Sequence, residues 1–430
     1  MNSMNTKDKY GEVESPASLV ETMLAFLPDG FWENKNMKIL DVGTGKGVFC
    51  RAITSKLKEH GHTNINSCLE GVEIQSENVA ISRLDPKNEA MIHNEDFLKW
   101  NITTKYDLIV GNPPFNSNGQ KIVPTNTDKT LNRAKTIWTD FVFKSLSMLN
   151  ENGELLFITP SIWLKPDKSG VYSRLTSRYS LKIRSFDASQ TSKIFKGQAQ
   201  TPTSIFLAYK DHTPRISIYD THSKSFHNYS KLHLCSPLPT KHITLINKLQ
   251  SLVRKYGNIK VVKTSNTPSL TGCVTSQDTY HPFPNIKTAH LDGKDTKLIV
   301  EWSATKNKYH GKSKLVLPHK MYGFPFLDRT GIYGIARRDL YVIVSSDINY
   351  LEKCRQLLAN SLALKVFDAS RYRMRFLEKY AFEFIPNPCN EILSLIEEEK
   401  SDTGYTFSYT KKIDESKIQS GQNHASPNKI

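Results

Sequence analysis

An apolar run that ends in an asparagine and two prolines constrains the fold of this chain more than any other feature. Residues 106–111 (Tyr-Asp-Leu-Ile-Val-Gly) lead directly into Asn112-Pro113-Pro114-Phe115. Such a run predicts a buried parallel strand, and ligands of open α/β sheets bind at the carboxyl ends of the strands. The prolines restrict the backbone beside the asparagine, so its carboxamide is held without a flexible loop. The sequence therefore predicts an active-site crevice at Asn112.

The side chains at this strand end suit a substrate that presents an amino group. The carboxamide oxygen of Asn112 and the carbonyl of Pro113 can both accept hydrogen bonds from an exocyclic NH2. Phe115 offers a face on which a planar ring can stack. We predict that Asn112, Pro113 and Phe115 are the catalytic residues.

Short apolar runs alternate with segments of helical periodicity in the first half of the chain. This alternation predicts an α/β fold with a doubly wound, mostly parallel sheet. An amphipathic helix is predicted from the cap signal Ser15-Pro16, and another is predicted to end at Asn152-Gly153. The predicted strands are residues 37–42, 68–74, 91–92, 106–110, 155–159, 181–186 and 203–209.

A glycine-rich turn follows the first predicted strand, at Asp41-Val42-Gly43-Thr44-Gly45-Lys46-Gly47. A turn of this kind lets backbone approach a nucleotide-like ligand at a helix N-terminus, but it serves several cofactors. Here the glycines are spaced GxGxG and not in the dinucleotide pattern GxGxxG. Asp41 also suits a cationic methionine moiety better than a pyrophosphate. The turn therefore favours S-adenosylmethionine.

Carboxylates follow the next two strands. Glu73, with Ile74 beside it, is placed to accept from ribose hydroxyls, although it can also be a solvated strand-end carboxylate. Asp96 can accept from an adenine amino group while the ring of Phe97 packs, or it can be a helix cap. We predict that these residues line the cofactor site.

The pattern of apolar and polar residues changes near residue 212, where short β-like runs alternate with polar loops. We predict a disordered segment at 1–9, a catalytic domain at 10–211, a smaller mixed α+β domain at 212–390 and a disordered polar tail at 400–430.

The composition indicates an intracellular nucleic-acid binder. The 430 residues carry a net charge of +16, and such charge favours association with phosphates. No apolar run approaches a membrane span, and the N-terminus lacks an apolar signal segment. The six cysteines are scattered without a CxxC pair, so neither a metal site nor a disulfide framework is expected. A reduced, cytoplasmic location follows.

In motif order the chain resembles the N6-adenine DNA methyltransferases of the gamma arrangement, as found in restriction-modification systems. The resemblance covers roughly residues 10–210, and 381–388 resemble the usual close of their recognition domains. The matching segments are 11–16 (motif X), 41–47 (motif I), Glu73 (motif II), Asp96-Phe97 (motif III), 112–115 (motif IV), 155–160 with 163–164 (the middle motifs) and 194–197 (motif VIII).

The resemblance implies an enzyme that uses S-adenosylmethionine to methylate an adenine flipped out of double-stranded DNA. It assigns Ser15 and Pro16 to the cofactor site, and the domain at 212–390 to target recognition. Phe195 is expected to contact the flipped base, or alternatively to pack in the core. The resemblance further implies a monomer that shares its DNA site with a cognate endonuclease without a stable complex.

DNA contacts are predicted at two basic segments. The polar loop 116–133 contains Lys121 and Arg133, and the run 371–376 contains Arg371, Arg373 and Arg375. These residues can contact phosphates or guanine edges, but a contact-free insertion and a solvated helix face are equally open.

Other functions compatible with the same residues are methylation of RNA, methylation of a protein glutamine, and a non-catalytic DNA-binding subunit.

Overall fold

The structure is a computed structural model that describes residues 13–116, 136–264, 272–292, 295–319, 325–336, 340–373 and 377–403. The chain forms two compact units. The first contains the described residues up to Asn258 together with Lys365–Asn387, and the second contains Ile259–Leu364 and the described residues from Pro388. The chain therefore leaves the first unit, forms most of the second, and returns to the first before its last helix.

A nine-stranded sheet forms the centre of the first unit, in the order β3-β2-β1-β4-β5-β7-β6-β8-β9. Pairings are parallel from β3 through to β5, and β7 runs antiparallel to both of its neighbours. The strands are β1 (Ile39–Val42), β2 (Leu69–Glu73), β3 (Met91–Asn94), β4 (Tyr106–Gly111), β5 (Leu149–Pro160), β6 (Ser180–Phe186), β7 (Thr203–Tyr209), β8 (Ile216–Asp220) and β9 (Ser225–Tyr229).

Seven α-helices accompany this sheet among the residues that the structure describes before Asn258. They are α1 (Ala17–Leu24), α2 (Val48–Glu59), α3 (Ser76–Leu84), α4 (Trp138–Met148), α5 (Val171–Arg178), α6 (Ala188–Ile194) and α7 (Ile243–Tyr256). Short 3-10 helices lie at Phe31–Glu33, Ile65–Ser67 and Ser161–Leu164.

The central strands are apolar because helices cover both faces of a parallel sheet. Every residue of β1 is buried, and in β4 only Asp107 is partly exposed. The strand order reverses between β1 and β4, where the sheet grows outward in both directions. The predicted doubly wound α/β sheet is therefore confirmed, and ligands of such sheets bind in the crevice at this switch point.

Two sequence predictions differ from the structure in this unit. Helix α4 ends at Met148, and β5 begins at once, so Asn152-Gly153 lie inside the strand and do not end the helix. The predicted domain boundary at residues 211/212 is also displaced. Strand β8 pairs with β6 and β9 pairs with β8, so the first sheet extends past this position.

The second unit contains two smaller sheets, in the orders β10-β16-β13-β14 and β12-β11-β15. Its strands are β10 (Val262–Lys263), β11 (Phe283–Asp292), β12 (Asp295–Ser303), β13 (Lys314–Pro318), β14 (Phe326–Asp328), β15 (Gly334–Ile335) and β16 (Leu340–Val344). A core that includes Ile286, Val316 and Val342 stabilises this unit.

Three helices and one 3-10 turn complete the described chain. They are α8 (Ile348–Leu358), α9 (Ser361–Ala369), the 3-10 helix Lys379–Phe384, and α10 (Asn390–Thr403). None of the described helices is long and apolar enough to cross a membrane. The segment 1–9, the residues after Thr403 in the predicted tail, and most of the loop 116–133 lie outside the described residues.

Candidate functional site

The glycine-rich turn occupies the carboxyl end of β1. Gly43, Gly45 and Gly47 all have positive φ angles, of 69°, 54° and 83°, which residues with a side chain rarely adopt. The amide of Gly47 donates to the carbonyl of Thr44 over 3.0 Å, and helix α2 then begins at Val48. The turn thus exposes backbone at a helix N-terminus, as the sequence predicts.

The second strand end lies directly against this turn. A Cβ atom on Gly111 would lie 2.5 Å from the carbonyl oxygen of Val42, so only glycine permits the close approach of β4 to β1 here. A Cβ atom on Gly43 would lie 3.9 Å from Cδ of Pro114. The structure therefore brings the predicted cofactor turn and the predicted catalytic segment into van der Waals range.

The carboxamide of Asn112 is held on one side only. Its Nδ2 donates to the carbonyl oxygen of Val13 over 3.2 Å and to Oγ of Ser15 over 3.1 Å. Within the described part of the chain its Oδ1 makes no hydrogen bond. Asn112 is half-buried, and the role of this oxygen as an acceptor stays a prediction.

The residues after Asn112 are held by burial and by the backbone. Pro113 is buried and Phe115 is half-buried. The carbonyl of Phe115 accepts from the amide of Ile137 over 3.2 Å. This bond fixes the segment immediately before α4.

Asp41 lies beneath the turn and not on a ligand-facing surface. Its side chain has no exposed area, Sγ of Cys50 donates to Oδ2 over 3.3 Å, and Oδ1 has no partner among the described residues. Burial, reinforced by the charge of Glu73, raises the pKa of Asp41 to about 7. Asp41 thus has an unpartnered, buried carboxylate oxygen under the turn.

Glu73 supports the turn from the end of β2. Its Oε2 accepts from the amide of Gly45 and its Oε1 from the amide of Gln75, each over 2.8 Å. Glu73 is 5% exposed, so this carboxylate lies buried against the turn. The neighbouring Ile74 is 47% exposed, which leaves an apolar surface for a ring.

Asp96 and Phe97 lie just beyond β3, which ends at Asn94. Oδ1 of Asp96 accepts from the amide of Leu98 over 3.1 Å, and the carboxylate stays partly exposed. Phe97 is 3% exposed and stacks on Phe141 with ring centroids 5.1 Å apart. Asp96 is accessible to a ligand, whereas the buried ring of Phe97 packs beneath this part of the candidate cofactor site.

Three predicted roles differ from the observed positions. Pro16, expected at the first turn of α1, is its N-cap residue, because the helix begins at Ala17. Ser15, expected to cap that helix, contacts Asn112 and makes no capping hydrogen bond, while its contact with the cofactor stays a prediction. Phe195 is 2% exposed and belongs to the hydrophobic core, so it leaves no face for a base in this structure.

The predicted DNA contacts are only partly described. Lys121, Arg133 and Arg375 lie outside the described residues. Arg371 lies 3.6 Å from a carboxylate oxygen of Asp368, and Arg373 is 59% exposed. Arg373 is thus largely exposed although Nε lies 3.7 Å from Oε1 of Glu378, while Arg371 belongs to an ion-pair cluster around Asp368.

Sequence reasoning missed the partners of Asn112. Val13 and Ser15 lie 99 and 97 residues away in the chain, and no local signal links them to it. Within the described residues, no group of three or more His, Cys, Asp or Glu could hold a metal ion. All six cysteines are free thiols.

The strand order 3-2-1-4-5-7-6 with a reversed β7, together with the glycine-rich turn after β1, defines the domain as a class I methyltransferase. The cofactor of this class is S-adenosylmethionine. Residues 38–195 match the family described as Eco57I restriction-modification methylase. Over these residues the chain is therefore similar to the restriction-modification methylases.

Curated relatives include type II methyltransferases and a glutamine methyltransferase. The type II methyltransferase M.AccI of Acinetobacter calcoaceticus is 27% identical over 67% of this chain and 50% of its own length. M.TthHB8I of Thermus thermophilus is 28% identical over 49% of this chain and 47% of its own length. A release factor glutamine methyltransferase of Haemophilus influenzae is 35% identical over 23% of this chain and 35% of its own length. The chain spans about half the length of the first two relatives.

Proposed function

We propose that the chain is a site-specific DNA methyltransferase that transfers the methyl group of S-adenosylmethionine to N6 of an adenine. The observation that carries this proposal is the half-buried carboxamide of Asn112, which is held through Nδ2 beside the glycine-rich turn. An oxygen presented in this way accepts from an amino group. The N6 amino group is not accessible within a duplex, so the adenine is flipped out of the base stack.

Asn112 and Pro113 orient the nucleophile. The Asn112 oxygen and the Pro113 carbonyl each accept a hydrogen bond from the N6 amino group. These two hydrogen bonds concentrate lone-pair density on the nitrogen. The ring of Phe115 stacks on the flipped base. S-adenosylmethionine, when bound, supplies an electrophilic methyl group and a neutral leaving group. The work of the protein is thus positioning and electrostatics, without a metal or a strong base.

The cofactor site is formed by the residues that converge on the turn. Gly43 and Gly45 give backbone access, Glu73 accepts from ribose hydroxyls and Ile74 offers an apolar surface. Asp96 accepts from the adenine amino group of the cofactor. Asp41 supplies negative charge from beneath the turn.

Double-stranded DNA is the proposed partner, and the second unit, with the adjoining part of residues 212–390, is its proposed reader. The net charge of +16 supports an anionic partner. We further propose that the protein acts as a monomer, and that a cognate endonuclease, where one exists, shares the site without a stable complex.

A second substrate class is favoured by one comparison, the local similarity to a release factor glutamine methyltransferase. A glutamine side chain also presents an NH2 group to an acceptor, so the catalytic segment alone does not distinguish the substrates. That similarity covers only 23% of this chain, whereas the type II methyltransferase M.AccI matches 67% of it, so DNA remains the better supported substrate. RNA is the third possibility to test.

The deciding experiment supplies S-adenosylmethionine with a tritiated methyl group to the protein with duplex DNA, RNA or a glutamine-containing release factor. We expect label in N6-methyldeoxyadenosine after digestion of the DNA to nucleosides. Label confined to RNA or to the protein would refute the DNA assignment. Absence of transfer despite cofactor binding would indicate a DNA-binding subunit without catalysis.

Replacement of the central acceptor gives the first prediction. Asn112→Ala removes the oxygen that orients the amino group, and we expect methyl transfer to fall by at least about 100-fold. DNA affinity and cofactor affinity should stay within about threefold of wild type, as measured by anisotropy and calorimetry. A variant that retains substantial activity would show that Asn112 is not catalytic.

A further inference from the structure

Val13 and Ser15, at the start of the described chain, bind the side chain of Asn112. The carbonyl oxygen of Val13 and Oγ of Ser15 lie 3.2 Å and 3.1 Å from Nδ2 of Asn112. Ser15 is only 8% exposed, so its hydroxyl is largely shielded from water. Both hydrogens of the carboxamide nitrogen thus have an acceptor within the protein.

This arrangement fixes the direction of the carboxamide. A backbone carbonyl can only accept a hydrogen bond, so the nitrogen of Asn112, and not its oxygen, must face Val13. The opposite orientation would place two oxygens against each other at Val13 and would lose that hydrogen bond, whereas the Ser15 hydroxyl can donate as well as accept. The oxygen therefore points away from Val13 and Ser15 and makes no hydrogen bond within the described residues.

We infer that Ser15 is a positioning residue that, together with the Val13 carbonyl, makes Asn112 a pure acceptor. The inference rests on the proposed function. An acceptor held in this way takes an amino group and rejects a base that presents a carbonyl oxygen at the same place. Ser15 thus contributes to the choice of adenine through Asn112, whereas the family resemblance assigns it to the cofactor.

The cofactor role and the positioning role can be separated by experiment. Glu14 lies 3.8 Å from Lys46 of the glycine-rich turn, so the segment around Ser15 is also close to the cofactor site. A change at Ser15 that acts through the cofactor must lower cofactor affinity. A change that acts through Asn112 must lower the rate of methyl transfer at saturating cofactor and DNA.

The test compares Ser15→Ala with Ser15→Thr, which keeps a hydroxyl, and with Ser18→Ala, an exposed serine of helix α1. We expect Ser15→Ala to lower the single-turnover rate about fivefold to tenfold, the usual effect of losing one hydrogen bond. The affinity for S-adenosylhomocysteine should stay within twofold. Ser15→Thr should restore the rate to within about threefold, and Ser18→Ala should match wild type.

A second readout does not depend on activity. In protein labelled with 15N-asparagine, the carboxamide resonance of Asn112 is assigned by its loss in Asn112→Ala. We expect this resonance to shift in Ser15→Ala and to stay in place in Ser18→Ala. An unshifted resonance, an unchanged rate, or a fall in cofactor affinity that matches the fall in rate would each overturn the positioning role. A wild-type protein that methylates no DNA would contradict the proposed function alone, since the resonance still decides whether Ser15 holds Asn112.

Discussion

At the scale of single residues, the most unusual charge in the first unit is the buried carboxylate of Asp41. Burial is the main cause that raises its pKa to about 7 from the 3.8 of a free side chain. Between these two values the folded protein keeps a proton that the unfolded chain releases. The free energy of unfolding therefore falls as the pH rises from about 4 to about 7, and above that pH Asp41 contributes no further change.

Asp41→Asn should remove this dependence, because an amide stays neutral at every pH. Relative to wild type, the variant should gain stability as the pH rises from 4 to 8, by up to about 4 kcal/mol. Urea denaturation at several pH values measures the difference. Asp29→Asn, in an exposed turn, is the matched control and should follow wild type. A constant difference across this range would mean that Asp41 is ionised throughout it.

The residues of the site were predictable from sequence to different degrees. Asn112, Gly43 and Gly45 lie where the strand-end pattern places them, because their roles depend on the local backbone. The burial of Phe195 and the contact of Ser15 with Asn112 depend on packing between distant segments. Periodicity carries no information about such pairs.

At the scale of elements, the sequence predicts strands better than it predicts their partners. The run 215–219 is recognisable as a strand, and the structure has β8 at Ile216–Asp220. Its alternating pattern does not reveal that it pairs with β6, which is why the predicted boundary falls too early. Residues 348–369 likewise form two helices, α8 and α9, separated by Ala359 and Asn360.

In the second unit, strands β13 and β14 are joined by a fully buried ion pair between Lys314 and Asp328. Nζ of Lys314 also donates to two backbone carbonyls. Asp328 accepts from the amides of Gly331, Ile332 and Tyr333 over 2.9–3.2 Å. Burial lowers the pKa of Lys314, and the charge of Asp328 opposes that shift. Asp328 thus pairs with the buried ammonium group of Lys314 and also fixes the turn at residues 331–333.

Asp328→Ala should destabilise the second unit by about 3–5 kcal/mol, because it leaves a buried ammonium group without its partner. Faster hydrogen exchange in peptides that cover β13, β14 and β16 would measure this loss. Arg329→Ala, which breaks a largely exposed pair with Glu352, is the control and should cost less than about 1 kcal/mol. The double variant Lys314→Met/Asp328→Ala should recover part of the stability. Equal protection in Asp328→Ala and wild type would show that the pair is dispensable.

At the scale of the whole molecule, the excess of 58 Lys and Arg over 42 Asp and Glu favours association with a polyanion. Each phosphate that a protein neutralises releases condensed counterions, so affinity depends on salt in proportion to the number of contacts. For about four phosphate contacts, the dissociation constant for duplex DNA should rise roughly 100-fold between about 50 and 200 mM salt.

Arg373→Ala should reduce the slope of the plot of log affinity against log salt concentration by about one, if this accessible side chain contacts a phosphate. Arg215→Ala, which removes an equally accessible charge at the start of β8, is the matched control and should leave the slope unchanged. Because this electrostatic contribution does not depend on base sequence, the slope should be the same for DNA with and without the methylation site. A salt-independent affinity would mean that the charge does not contact the DNA backbone, and the second unit would then lose its main support as the reader of DNA.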